Sequence, residues 1–355
     1  MRVQIANAAV RVMAGSALAV ACLGGLPGAA EAAAGAGAAA GPARFVRCGA
    51  GALAEAIAAG GRLTLSRGCV YLLRAPLPVI RGALYIEGHK ATIRRNRAVG
   101  TPGFSLLQVG RHGALTIRDA ILRNGRSPGH GGAIDNAGGQ LTVINVVFKH
   151  NTARQGGAVY NGGRALLRRD TFLRNHAAAG GALFSAGRIR LESDFFTANT
   201  AAGRGGAIRS SRRLSGRFMT FRRNHAAAGG ALYAGGPLIL ASSIFLSNRA
   251  DGSAGSAGLA GDGGGLYAAS PSVRTTGLTL RNNRARAAGG AVYLAPALGS
   301  ATFQRDVIFG NRSGQGGGIV NSGGNPGLVH LESSTVTQNT PSNCAPSGAV
   351  PGCSG

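Results

Sequence analysis

Asp170 and Asp194 each stand five residues before an asparagine, Asn175 and Asn199. Two carboxylates carried to one place by a repeating fold share a proton, hold a cation, or are neutralised. Arg168, Arg169 and Arg190 are near in sequence, so a salt-bridged pair is the preferred reading. His176 and His225 each follow such an asparagine, and His130 sits between Gly129 and Gly131. Cys48, Cys69, Cys344 and Cys353 offer disulfides or a zinc site; the wide spacings, with no His beside either pair, favour disulfides. Four cysteines allow three pairings, and short loops close at least entropic cost, which favours Cys48–Cys69 and Cys344–Cys353. No P-loop, nucleophile elbow or zinc signature is present, and the sequence implies no cofactor and no metal.

The element that positions these residues is a repeat. Phe148, Phe172, Phe196, Phe221 and Phe245 each precede an asparagine by three, giving F-x-x-N at Asn151, Asn175, Asn199, Asn224 and Asn248. Looser copies end at Asn124, Asn283, Asn311 and Asn339. A second mark follows, Gly-Gly-Ala plus an aliphatic residue, as at Gly156 to Val159 and Gly205 to Ile208. Upstream of each asparagine, apolar residues alternate with polar ones, as Leu141, Thr142 and Val143 show. Period-two alternation marks a strand with one face inside. Each unit of about 25 residues holds two or three such strands and cannot bury its apolar face alone, so copies must stack. The expected fold is all-β, a right-handed parallel β-helix (a solenoid) with rungs about 4.8 Å apart. A β-propeller is the rival, but its repeat is longer, about 40–45 residues.

Stacking turns sequence positions into ladders. The phenylalanines should form one in the core and the asparagines another at a corner. Gly-Gly should make the next corner, through positive φ and close backbone approach. His176 and His225 fall two rungs apart with Thr200 between, a poor metal site. Arg123, Arg174 and Arg223 directly precede the repeat asparagine and should lie about 10 Å apart on alternate rungs, facing either solvent or a polyanion along the axis. Tyr160, Phe184, Tyr233, Tyr267 and Tyr293 follow the aliphatic residue of the glycine mark and should point outward as a stripe, interrupted by Arg209. Such a stripe either braces the sheet or offers sugar rings an apolar surface beside arginines.

The paired F-x-x-N and Gly-Gly-Ala-aliphatic marks resemble the repeats of the polymorphic outer-membrane protein family over roughly residues 114–340. The resemblance implies a β-helical passenger domain with adhesive roles. The ends are similar to secreted bacterial β-helix repeat proteins, through the stretch containing Cys69 and the tail from Asn343 and Cys344 to Cys353. Family members end in a membrane β-barrel; this sequence stops at Gly355, so anchoring by its own barrel is not expected.

Organisation and composition complete the expectation. Residues 1–32 read as a signal peptide, with Arg2 and Arg11 ahead of an Ala-rich apolar run and an Ala30-Glu31-Ala32 site. Cys22 raises lipidation, though the usual leucine three residues before it is absent. Residues 33–62 read as linker and N-terminal cap, with a short helix over Ala50 to Ala59 stopped by Gly60 and Gly61. The β-helix takes 63–340 and a disulfide tail 341–355. The longest insertion, Arg249 to Asp262, reads as a mobile, tolerated loop. With 38 Lys and Arg against 12 Asp and Glu, of which only Lys90 and Lys149 are lysine, the net charge of +26 favours anionic partners such as acidic polysaccharide; a generic solvated basic surface is the alternative. The functional expectation is a secreted or surface-exposed, adhesin-like binding protein. The alternative is a polysaccharide lyase or glycoside hydrolase of the pectin-lyase-like fold, which needs acids gathered in one groove. The acids here are scattered, and Gly129-His130-Gly131 lacks the Asn-Thr-Asp and Asp-Asp fragments that accompany it in polygalacturonases.

Overall fold

The computed structural model describes residues 41–252 and 260–354. The export segment with Cys22, and positions 253–259 of the long insertion, lie outside the described residues.

One rung shows how the repeat folds. Arg164–Arg168 is a strand in which Ala165 and Leu167 point inward and Arg164 outward. Arg169 turns the chain at φ 57° into strand Thr171–Leu173, which buries Phe172. Arg174 turns it again at φ 52° into His176–Ala179, which buries Ala177. Gly180, at φ 62°, leads to Leu183–Ser185, and Arg188 opens the next rung. Among the described residues, repetition builds four sheets of 12, 11, 6 and 10 strands, in that order around the coil. Their ladders are parallel and pair equivalent positions of successive rungs. The chain is a parallel β-solenoid of about 11 turns.

The core is a set of axial stacks. Phe148, Phe172, Phe196, Phe221 and Phe245 are fully buried, with successive ring centroids 4.6, 4.6, 5.2 and 4.5 Å apart. Leu280, Ile308 and Val336 continue the column where the rungs lose phenylalanine. Beside it runs the asparagine ladder. In each member the backbone N–H and the side-chain amide donate to the Oδ1 of the next asparagine, both at 3.0 Å between Asn175 and Asn199. The second amide hydrogen bonds the carbonyl of a residue on the preceding rung, as Asn199 does with Phe172 at 3.0 Å. The ladder runs from Asn151 through Asn339 and closes on Asn343.

Asn124 is not a rung of this ladder. Arg123 pairs with Lys149, which puts Asn124 at the left-handed corner, φ 59°, and Gly125 at the ladder position. The Gly125 N–H donates to Asn151 Oδ1 at 2.9 Å, so the ladder starts on a backbone amide. The sequence offered an asparagine at roughly the right spacing; the strand register decided otherwise.

The two glycines of the second mark do different work. Gly205 adopts φ 72°, a conformation that penalises any Cβ. Gly206 does not, but a Cβ there would lie 2.1 Å from the Gly230 carbonyl oxygen on the next rung. The pair is therefore needed for one turn and for one axial approach.

Both ends are closed. The helix Ala50–Ala59 turns Leu53 and Ile57 inward and ends at Gly60, φ 67°. It rests on strands Arg44–Val46 and Val70–Leu73. The strand Arg44–Val46 was not expected; it pairs in parallel with Leu63, Thr64 and Leu65 and extends the twelve-stranded sheet within the stretch read as linker. Cys48 is bonded to Cys69, and Cys344 to Cys353. Cys344–Ala345 adds a last strand to the ten-stranded sheet.

Candidate functional site

The acid pair is the first place where structure and expectation part. Asp170 and Asp194 are fully buried at the corner between the twelve- and eleven-stranded sheets. Asp170 accepts N–H bonds from Val146 at 2.7 Å and Arg168 at 3.1 Å; Asp194 accepts them from Asp170 at 2.8 Å and Glu192 at 3.1 Å. No arginine pairs with either among the described residues; Arg168 and Arg217 go instead to Glu192. The salt-bridge reading is therefore wrong. The side chains enter the core ahead of the strand, where main-chain amides freed by the left-handed corner take their oxygens. Ser243, Ser334 and Asp306 hold the same corner on other rungs and bond the same kind of amide. Burial raises the pKa of Asp170 well above the carboxylate range, helped by Asp194; burial likewise raises Asp194 to about 7. No group of three or more acids, histidines or cysteines able to hold a metal occurs among the described residues.

The ten-stranded sheet carries the aromatic stripe. Val159, Leu183, Leu232, Leu266 and Val292 are fully buried, and strand alternation turns their successors outward. Tyr233 stacks on Tyr267 with centroids 4.8 Å apart, and Tyr267 on Tyr293 at 4.8 Å. Tyr160 meets Phe184 at 5.6 Å, and His130 lies flat on the other face of Tyr160 at 4.1 Å. That stack is where the histidine of Gly129-His130-Gly131 goes. Arg209 fills the gap between Phe184 and Tyr233, with its guanidinium 5.0 and 5.9 Å from their centroids. Ring faces are thus turned to one another, and a passing sugar meets ring edges. Burial, with the neighbouring tyrosines, raises Tyr267 to about 12. Phe184 points outward yet is only 6% exposed, because Tyr160 and Arg209 cover it.

The expected arginine ladder loses a member. Arg174 and Arg223 are exposed corner residues at φ 52°, in line with His150 and Ala198. Arg123 is not in that column, because it pairs with Lys149 inside the eleven-stranded sheet.

A stronger basic column was missed. The residue after each ladder asparagine opens a strand of the six-stranded ribbon and faces out: Thr152, His176, Thr200, His225, Arg249, Arg284 and, by a single bridge, Arg312. Arg249, Arg284 and Arg312 occupy three successive rungs, so their backbones are about 4.8 Å apart. With Arg286 and Asp251 they line a cleft of about 460 Å³. Asp251 bonds Arg249 and His225; Arg284, Arg286 and Arg312 have no carboxylate partner among the described residues. The signal is legible in the sequence one residue past each repeat Asn, at Arg249, Arg284 and Arg312. A second in-register column, Arg164 and Arg188 with Arg213 on the following rung, stands exposed at the start of the twelve-stranded sheet.

No helix among the described residues is long and apolar enough to cross a membrane. No curated protein and no solved structure matches the chain. Residues 145–162, which carry Phe148, Asn151 and the glycine mark through Tyr160, match the model of the Chlamydia polymorphic membrane protein repeat, and the solenoid is built from units that resemble it.

Proposed function

We propose that this chain is an exported or surface-exposed, non-enzymatic binding scaffold that holds an anionic polysaccharide along its axis. The observation that carries the reading is the ribbon column Arg249, Arg284 and Arg312, three exposed guanidinium groups in line with one carboxylate among them. Like charges at rung spacing lie well inside the roughly 10 Å screening length at 0.1 M salt, so they repel until an anion sits over them. A rigid solenoid holds them in register at little entropic cost, which suits an extended ligand of repeating charge. Arg174 and Arg223 extend the basic surface onto the corner that leads into the ribbon. Two disulfides fit an oxidising compartment, and the repeat resemblance fits display at a bacterial surface. Asp170 and Asp194 are buried and bonded to main-chain amides, which supports a structural rather than a catalytic role for that pair.

The test is retention on immobilised heparin and alginate across a salt gradient. R249S/R284S/R312S should elute at clearly lower salt than R164S/R188S/R213S, which removes the same charge elsewhere. Equal elution of the two variants leaves only a generic basic surface. Release of unsaturated uronate or reducing ends from acidic glycans by the wild-type chain defeats the non-enzymatic reading.

A further inference from the structure

The aromatic stripe is broken once, at Arg209, which pairs with Phe184 on one rung and Tyr233 on the next. Arg204, five residues earlier on the same rung, places its guanidinium 5.1 Å from the centroid of the same Tyr233 ring. Two cations therefore share one ring, and Arg209 is also held against Phe184 at 5.0 Å. Cation–π contacts fix orientation but do not cancel charge. The Nε atoms of both arginines are shielded from solvent and bonded to nothing. Neither arginine has an ion-pair partner among the described residues. Burial, and then Arg204, pull the pKa of Arg209 below its usual value. A half-buried pair of like charges, preset by aromatic faces and lacking a counter-charge, is an anion site waiting for its anion.

We propose that Arg204 and Arg209 form a clamp for one carboxylate or sulfate group of an acidic sugar residue, with the ring edge of Tyr233 against the sugar. The planar forks of two guanidinium groups match the oxygens of such a group, which an ammonium cannot do. Arg209 is on the ten-stranded sheet and Arg204 in the turn that leads to it from the ribbon strand Thr200–Ala201, whereas the arginine cleft begins two rungs on at Arg249, so the two are separable; only the ligand class rests on the reading above.

The chain has six tyrosines and no tryptophan, and four of them, Tyr160, Tyr233, Tyr267 and Tyr293, stand on this stripe, so tyrosine fluorescence reports mainly on it. Titration would use an oligogalacturonate, a sulfated oligosaccharide and a neutral oligosaccharide of equal length, and inorganic sulfate. The wild-type chain should bind one or both acidic sugars and not the neutral one, which also tells carboxylate from sulfate. R209K keeps the charge and loses the fork, and R204Q removes the second cation; each should weaken Kd by about tenfold or more, the loss of a charge-assisted hydrogen bond. R164S/R188S/R213S, which removes the same charge on the twelve-stranded sheet, should leave this short-ligand affinity near wild type. If R204Q binds acidic sugars as the wild type does, with R209K folded and unchanged as well, the clamp is refuted. Binding of inorganic sulfate as tight as that of the sugars also refutes it, because the site would then take an ion alone. Loss of short-ligand binding only in the ribbon triple variant refutes the clamp while leaving the polysaccharide reading intact. Thermal melts of each variant separate lost binding from lost folding, and R204Q serves should R209K fail to fold.

Discussion

Replacing Asn199 by Ala removes one rung of the buried ladder, and the structure sets the size of the effect. The Oδ1 of Asn199 accepts from both the backbone N–H and the side-chain amide of Asn175, at 3.0 Å each. Its own amide donates to Asn224 Oδ1 and to the Phe172 carbonyl, again at 3.0 Å. Asn199 is fully buried, so water cannot take over these bonds. Two donors on Asn175 lose their acceptor, and an unsatisfied buried group costs about 1–3 kcal/mol. The expected loss is about 2–6 kcal/mol. In a solenoid each rung contacts only its neighbours, so the loss should concentrate between Asn175 and Asn224. Urea unfolding followed by circular dichroism reads the total, and hydrogen exchange at the Asn175 amide reads its place. Thr200→Ala, one residue on and facing out from the ribbon, is the reference and should stay within about 0.5 kcal/mol. Asn199→Asp sharpens the test. It keeps the acceptor for Asn175 but sets a second oxygen against Asn224 Oδ1 and the Phe172 carbonyl. That carboxylate is favoured neutral, so the variant should be poorly stable at neutral pH and recover as pH falls. If Asn199→Ala costs no more than Thr200→Ala, the ladder does not hold the corner and the account of the repeat is wrong.

Other outcomes follow from the same geometry. Asp170 and Asp194 have pKa values raised on folding, so their contribution to stability is full below about pH 4 and is lost as pH rises through about 7 for Asp194; urea midpoints measured from pH 4 to 8 should fall across that window. Asp194→Ser copies Ser243, which accepts the Met219 N–H at 3.0 Å, and should flatten the slope without unfolding the chain; an unchanged slope would assign it to other groups. Gly206→Ala should destabilise by about 1–3 kcal/mol or more, because the new Cβ falls 2.1 Å from the Gly230 carbonyl oxygen. Gly51→Ala, in the N-terminal helix with open space around it, should stabilise by up to about 1 kcal/mol, and thermal melts compare the two. Cys344→Ser with Cys353→Ser should cost about 2–4 kcal/mol through the freed end of the last strand; exchange protection lost at Ile319 and Val320 alone would show local fraying, and none lost would show that the tail pins nothing.

The sequence by itself determined the repeat, its period and the inward face of nearly every strand. A stacked fold makes each position recur, so Phe148 through Phe245, Asn151 through Asn248 and the glycine pairs are legible as columns in the sequence alone. The outward phase of Tyr160, Tyr233 and Tyr293 followed from the buried Val159, Leu232 and Val292 by alternation alone. What tertiary structure decided was register to the single residue and the company each side chain keeps. Asn124 and Arg123 sat one residue off their expected columns, because hydrogen bonding between strands, and not the spacing of a motif, sets alignment. Asp170 and Asp194 lay among arginines in sequence, but the corner sent them into the core, where main-chain amides take them, and the arginines out, where Glu192 takes Arg168 and solvent the others. The Asn136, Asn161 and Ser185 side chains form a second buried ladder that no motif announced, since its members change type from rung to rung. The basic cleft and the paired Arg204 and Arg209 depend on neighbours 24 to 35 residues apart in sequence meeting about 4.8 Å apart in space. Charge and periodicity are properties of a chain read in one dimension; which charges are left without a partner is settled only when the rungs stack.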